Sequence, residues 1–310
     1  MAYNIYFHQF RQVAQELEVL RERMRQNMPD NPACFGRQIY SQCDEDGIIG
    51  DCLRRIESIA PLSRNFIEFG CGNGLENNSH FLLLSGYSGC WIDGDCQNMQ
   101  SIQKQLNPPC GKRLLAIESF VTLEILDSIL KKCCDFLETK DIDFFSMDLD
   151  GNDLYFTEYI LGKIKPKLLC VEYNAKFPLP VSCCIRYHPS HVWHGDDYQG
   201  ASLQAWITAL GNEYTLVSCS LSGVNAFFVR SDLTDPFTLY PADIIYQQPR
   251  PWMVPCVTGL PPSYHWLQKE LKCSEYLLDQ QGDIKMEIKS KSLMKKIKEK
   301  LLNGCTSIKM

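Results

Sequence analysis

No stretch of this chain approaches the roughly 20 apolar residues that a membrane-spanning helix needs, so a transmembrane protein is not expected. The first residues, MAYNIYFHQFRQ, lack the basic start and apolar core of a secretory signal, which points to a cytoplasmic protein. An excess of basic charge is also missing. Against 31 Lys and Arg stand 37 Asp and Glu, a formal charge of −6. Such a chain is not built as a whole to coat a polyanion, and no nucleic-acid partner is expected. Sixteen cysteines are many, yet no two form a CxxC pair, and the doublets Cys133–Cys134 and Cys183–Cys184 lack zinc-ligand spacing. Disulfide frameworks belong to short secreted chains; reduced, structural cysteines are therefore preferred over a framework. Internal repeats and low-complexity tracts are absent as well.

What is present is ordinary globular composition, 45% hydrophobic and 22% charged over 310 residues, enough for one α/β domain with appendages or for two small domains. Apolar residues recur every three or four positions from Ile5 to Met24, which predicts an amphipathic helix over 5–28 that PDNPACFG then breaks. A second helix is predicted over 46–59. Strands and helices then alternate. NFIEFG, GCWIDGD, RLLAIESF, IDFFSMDLD and PKLLCVEYN read as strands, with helices between them over 75–85, 97–106, 123–137 and 153–161. Short apolar runs separated by helices suggest parallel strands buried on both faces. After Asn174 an insertion containing Pro and His interrupts the pattern. A helix over 201–210 follows, then YTLVSCS and AFFVR around an LSGVN turn, close enough to form an antiparallel hairpin. The expected architecture is α/β: a seven-stranded Rossmann-like sheet, mostly parallel with the last strand antiparallel, and helices on both faces. The expected division is an N-terminal helical extension over 1–64, a core domain over 65–233 and a C-terminal extension over 234–310.

The first functional signal lies in NFIEFGCGNG and the following GCWIDGD. A strand, a glycine-rich turn and a helix make an anion or nucleotide cradle. Gly70 and Gly72 let backbone approach a ligand that a side chain would exclude. Asp93 closes the next strand, where a carboxylate can accept both ribose hydroxyls. A dinucleotide site would show G-x-G-x-x-G; the spacing after Glu68 is G-x-G-x-G. A chance glycine-rich turn in a flavodoxin-like protein is the competing reading. The E-x-G-x-G-x-G form resembles the first motif of class I S-adenosylmethionine-dependent methyltransferases, whose seventh strand also runs against the other six. Further, YSQCDEDGII, FIEFGCGNGLENN, GCWIDGD, DFFSMDLDGND, KPKLLCVEYN, YQGASLQA and GVNAFFVR follow one another much as in FkbM-like methyltransferases. That resemblance covers roughly residues 40–233. It implies a methyltransferase sheet, S-adenosylmethionine as cofactor and, because several of the group methylate sugar hydroxyls, a small-molecule or saccharide acceptor. It also implies a cofactor site of Glu68, Gly70, Cys71, Gly72, Asn73, Asp93, Gly94 and Asp148, with Cys71 where the residue need only be small.

A second constellation joins SMDLDGND to VEYNA. Neighbouring strand ends meet at the carboxyl edge, where open α/β sheets bind ligands. Alternate residues share a face, which pairs Asp148 with Asp150 and Glu172 with Asn174. Carboxylates in one cleft repel unless one is protonated or a cation lies between them, and their hard oxygens suit Mg²⁺, Mn²⁺ or Ca²⁺. The placement is similar to that in catechol-type O-methyltransferases. This implies a metal set of Asp148, Asp150, Glu172 and Asn174, with Asp150 and Glu172 at the catalytic centre. In the metal-free alternative Asp148 orients the cofactor's ammonium, Asp150, Asn152 and Asp153 cap the next helix, and Glu172 is a solvated edge residue.

The insertion IRYHPSHVWHGDDYQGASL puts His188, His191 and His194 in a loop over the reacting end, where one imidazole can take a substrate proton. His194 is preferred, because Trp193, Asp196 and Asp197 beside it can stack on a sugar ring and hold its hydroxyls. The alternative is a solvated loop. KMEIKSKSLMKKIKEKLLNG reads as a Lys-rich amphipathic helix, packed on the domain in the favoured reading and lying on an anionic membrane in the other. The expected function is S-adenosylmethionine-dependent O-methylation of a saccharide hydroxyl. The alternatives are a small aromatic or polyketide hydroxyl, or a catalytically silent binding module.

Overall fold

In a computed structural model of the chain, the described residues are 2–106, 113–253, 276–278 and 284–286. β1 (Asn65–Phe69), β4 (Phe144–Met147) and β5 (Leu168–Glu172) are buried along almost their whole length. Strands of that kind occupy the middle of a covered sheet. With β2 (Ser88–Asp93), β3 (Leu114–Glu118), β6 (Tyr214–Cys219) and β7 (Asn225–Arg230) they form one seven-stranded sheet in the order β3-β2-β1-β4-β5-β7-β6. β1 to β5 are parallel, and β7 runs antiparallel to both β5 and β6. The expected architecture and terminal hairpin are therefore observed. The order reverses between β1 and β4, and Phe69, Asp93, Glu118, Met147 and Glu172 all end strands on one edge.

Helices α1 (Ala2–Asn27), α2 (Glu45–Glu57), α4 (Cys96–Gln105), α5 (Leu126–Leu137), α6 (Asp153–Leu161) and α7 (Leu203–Leu210) lie close to the predicted spans, and a short α8 (Ala242–Ile245) follows the hairpin. The helix expected over 75–85 is an exception: α3 is only His80–Leu84. Residues 75–79 instead fold into a turn that brings the N–H groups of Asn78 and Ser79 onto the buried carboxylate of Glu68.

Residues 13–64 and 234–253 share the core of the sheet domain. Buried apolar residues from Val13 to Met253 form one cluster. Polar contacts reinforce it. Asn31 donates to the Val217 carbonyl, Leu221 N–H donates to Asp44, and the Arg250 guanidinium donates to the Leu221 carbonyl. The Tyr173 hydroxyl reaches the Gln247 carbonyl. Beyond them β8 (Tyr276–Leu278) and β9 (Ile284–Met286) pair antiparallel. Lys285 and Met286 of the Lys-rich segment thus lie in a strand; the helix predicted over its remainder falls outside the described residues. All cysteines among the described residues are free thiols, most of them buried. No helix among those residues is long and apolar enough to cross a membrane.

Candidate active site

A cleft of about 720 Å³ opens at the carboxyl edge, over the point where the strand order reverses. Its floor is the turn after β1. Gly70 adopts φ +82, and a Cβ there would stand 1.5 Å from the Asp148 carbonyl oxygen, so only glycine lets β1 and β4 approach this closely. Gly72 adopts φ +53 but faces open space, with nothing within 4 Å of a Cβ. Its N–H donates to Asp93 Oδ2 at 2.8 Å, while Asp95 N–H donates to Asp93 Oδ1 at 2.7 Å. Asp93 therefore ties the glycine turn to the end of β2 and still lines the cleft. Beyond β3 the wall continues with Phe120, an aromatic side chain left 50% exposed.

The other half of the cleft is acidic. Asp148, Asp150 and Glu172 each offer a carboxylate oxygen within 4.8 Å of the others. Burial, then the charge of Asp150, raises Asp148 well above the usual carboxylate range; burial, then Asp148, does the same for Glu172. Carboxylates this close relieve their repulsion by sharing a proton or a cation. Asp150 is raised as well, by burial first and the charge of Asp153 second. It sits at φ +56 in a turn that Asp153 pins by accepting from Leu149 N–H and Gly151 N–H, both at 2.6 Å. Asn152 stands at the N-cap of α6 without a side-chain cap bond, and neither it nor Asp150 pins this turn; Asp153 does.

Several expected site residues stand elsewhere. Glu68 does not line the cleft. It is buried beneath the turn, where its carboxylate accepts from Asn78 N–H and from Ser79 N–H and Oγ–H, and burial pushes it up to about 7. Cys71 is buried against Met99, and Asn73 is exposed and folds back onto Leu75 N–H. Asn174 leaves the carboxylate group. Its amide donates to the Asp197 and Gln199 carbonyls, which spends it on anchoring the insertion. Gly94 lines the cleft as expected.

Of the three histidines, one other than His194 lines the cleft. His194 is exposed and outside the cleft, whereas His191 lines it, with Val192 and Trp193. The His191 ring lies on Gly151, where a Cβ would come within 2.6 Å of its Cδ2. Its Nε2 is buried and has no hydrogen-bond partner among the described residues. Asn152 holds this loop down: its amide donates to the His188 carbonyl at 2.8 Å, and His188 N–H donates back at 3.2 Å. Sequence reasoning missed Phe120 and Gln42, which also line the cleft. A lone aromatic just beyond the third strand was the only available sign of Phe120; Gln42 lies in YSQCDEDGII, whose neighbouring acids drew no role.

No family model matches the chain, and no curated protein matches it. Among solved structures it is similar to the Bacillus cereus O-methyltransferase in complex with S-adenosylhomocysteine, at 14% identity and TM-score 0.37 over 71% of this chain and 89% of that one. The N-terminal domain of EvdMO1, crystallised in the presence of S-adenosylhomocysteine and D-fucose, is 12% identical, with TM-score 0.38 over 69% and 95%. The plantazolicin methyltransferase BamL is 14% identical, with TM-score 0.30 over 43% of this chain and 47% of that one. In that last case the match spans about half of the relative's length.

Proposed function

We propose that the chain is an S-adenosylmethionine-dependent O-methyltransferase of the FkbM-like kind, acting on a saccharide hydroxyl. The observation that carries this is the order of groups along one cleft: Phe120 and Asp93 over β3 and β2, the Gly70–Gly72 turn over β1, and the carboxylates over β4 and β5. An adenine can stack on Phe120 while Asp93 accepts from the ribose. Asp148 would hold the amino-acid end, its carboxylate suiting the cofactor's ammonium. Asp150, Glu172 and His191 would then face the reacting end of the cofactor.

Methyl transfer is an in-line displacement. S-adenosylmethionine would supply the methyl group: the acceptor oxygen would form the C–O bond as the C–S bond breaks, with the electron pair staying on sulfur. The acceptor proton goes to His191, whose ring lines the cleft in a loop that the Asn152–His188 clamp holds. Trp193, 43% exposed with its indole N–H on the Asp196 carbonyl, offers a flat face for a sugar ring. Asp148, Asp150 and Glu172 also fit a hard divalent cation, all three donors being carboxylate oxygens that converge within 4.8 Å. Mg²⁺ or Mn²⁺ there would acidify a bound hydroxyl; the shared proton is the metal-free relief of the same repulsion.

Calorimetry with S-adenosylhomocysteine and NAD, followed by S-adenosylhomocysteine release with a panel of monosaccharides and glycosides, tests the reading. Failure to bind S-adenosylhomocysteine removes it. Binding without turnover on any acceptor supports the silent module instead. Turnover that survives EDTA unchanged removes the metal and leaves the methyltransferase.

A further inference from the structure

The acidic half of the cleft poses a problem for the cofactor. Glu76, Asp148, Asp150 and Glu172 line that half, and no Lys or Arg lines the cleft among the described residues. These groups suit the ammonium and sulfonium of S-adenosylmethionine and repel its carboxylate. The carboxylate needs a donor that adds no negative charge. Of the side chains on that wall, the Asn152 amide is committed to His188 and the Trp193 indole to Asp196. His191 belongs to the acceptor side in the mechanism above. The side chain of Gln42 remains: it is part-buried, lines the cleft with Gly70, Gly72 and Glu172, and makes no hydrogen bond among the described residues.

The loop that carries Gln42 is built to hold it still. One oxygen of the buried Asp46 carboxylate accepts the N–H groups of Ile39, Tyr40 and Ser41 at 2.7, 2.6 and 2.8 Å. On the other side, Cys43 N–H donates to Glu45, and Asp44 accepts Leu221 N–H. Gly47 must be glycine, because a Cβ would come within 2.3 Å of Arg37 N and the Phe35 carbonyl. Tyr40 stacks on the buried His80 with ring centroids 4.1 Å apart, which joins this loop to the segment after the glycine turn. Buried acids thus fix the backbone on both sides of one unpartnered amide.

We propose that Gln42 donates its side-chain amide to the carboxylate of the bound cofactor, so that the segment before β1 supplies the amino-acid end of the site. This rests on the S-adenosylmethionine reading above. The test compares S-adenosylhomocysteine with 5′-methylthioadenosine, which keeps the adenosine and lacks the amino-acid end, by calorimetry on the full chain. Gln42→Ala should weaken S-adenosylhomocysteine about 10-fold or more, the loss of a bond to a charged acceptor, and leave 5′-methylthioadenosine unchanged. Gln42→Glu should weaken it further by repulsion; retained or stronger binding would show that Gln42 meets the ammonium instead, and would overturn the assignment. Unchanged affinity in Gln42→Ala, or equal loss of both ligands, overturns it as well. If the wild-type chain binds 5′-methylthioadenosine and S-adenosylhomocysteine equally, no amino-acid subsite exists. If it binds neither, the cofactor reading itself falls.

Discussion

Asp93 does two things at once. It holds the Gly72 N–H and presents the rest of its lone pairs to the cleft. Asp93→Ala should weaken S-adenosylhomocysteine by about 1–3 kcal/mol, the worth of hydrogen bonds to a charged acceptor, and calorimetry reads this directly. Glu68 acts from below and is a stability residue. Its buried carboxyl is raised from the usual 4.5 to about 7, so the folded state prefers the protonated form. The sign follows: its contribution is fully present below the unfolded value and is lost as pH rises through about 7. Urea unfolding should give a free energy that falls from pH 5 to pH 8, by up to roughly 3 kcal/mol from this group. Buried Asp44 and the part-buried Asp148 and Glu172 of the cleft shift in the same direction. In Glu68→Gln the fall should be shallower; an identical slope would remove Glu68 as a cause.

At the scale of elements, the end of the sheet remote from the cleft is tied by one cation. Lys167, just before β5, pairs with Asp143 at 2.8 Å and Asp141 at 2.6 Å, and Asp143 is fully buried beside the start of β4. Lys167→Ala strands that carboxylate and should cost about 3–5 kcal/mol in denaturant unfolding. The insertion over the cleft is held more lightly, by the Asn152–His188 pair, the Asn174 amide and a bridge between Cys184 and Ala201. Asn152→Ala should leave S-adenosylhomocysteine affinity near wild type and speed proteolytic cutting within residues 186–199, because the clamp holds the loop and does not touch the adenosine end. Equal cutting rates in both proteins would show that the loop is fixed by other contacts.

The molecule as a whole does not divide where its sequence changes character. α2 sends Ile48, Ile49, Cys52, Leu53 and Ile56 into the shared core, and Arg55 reaches both Asp30 and the Pro236 carbonyl. A fragment of residues 65–233 would expose that apolar surface and lose its polar ties to both flanks. It should therefore show no cooperative melting by calorimetry, whereas residues 1–253 should melt as one unit. A cooperative transition in the short fragment would mean that the flanks are dispensable appendages.

The elements were legible in the sequence because period and run length are local quantities. Short apolar runs such as FFSM and LLCVE, separated by helical patterns, suit covered strands, and α6 begins and ends where its pattern does. The glycines at 70 and 72, the acid at 93 and the carboxylates at 148, 150 and 172 were legible too, since strand ends of a parallel sheet share an edge. The rest depended on distance in space. The pairing of Glu68 with Asn78 and Ser79 shortened α3, which no periodicity could show. His191 and His194 are three residues apart in one loop, and only the docking of that loop on Gly151 and Asn152 put one ring in the cleft and left the other in solvent. Asn174 shares a strand end with Glu172, yet the insertion offered its amide two carbonyls. Gln42 lies far upstream of the glycine turn in the chain, and its side chain reached the cleft because Asp46 and Asp44, acids with no local partner in the sequence, found theirs in the backbone of a loop and of a distant hairpin.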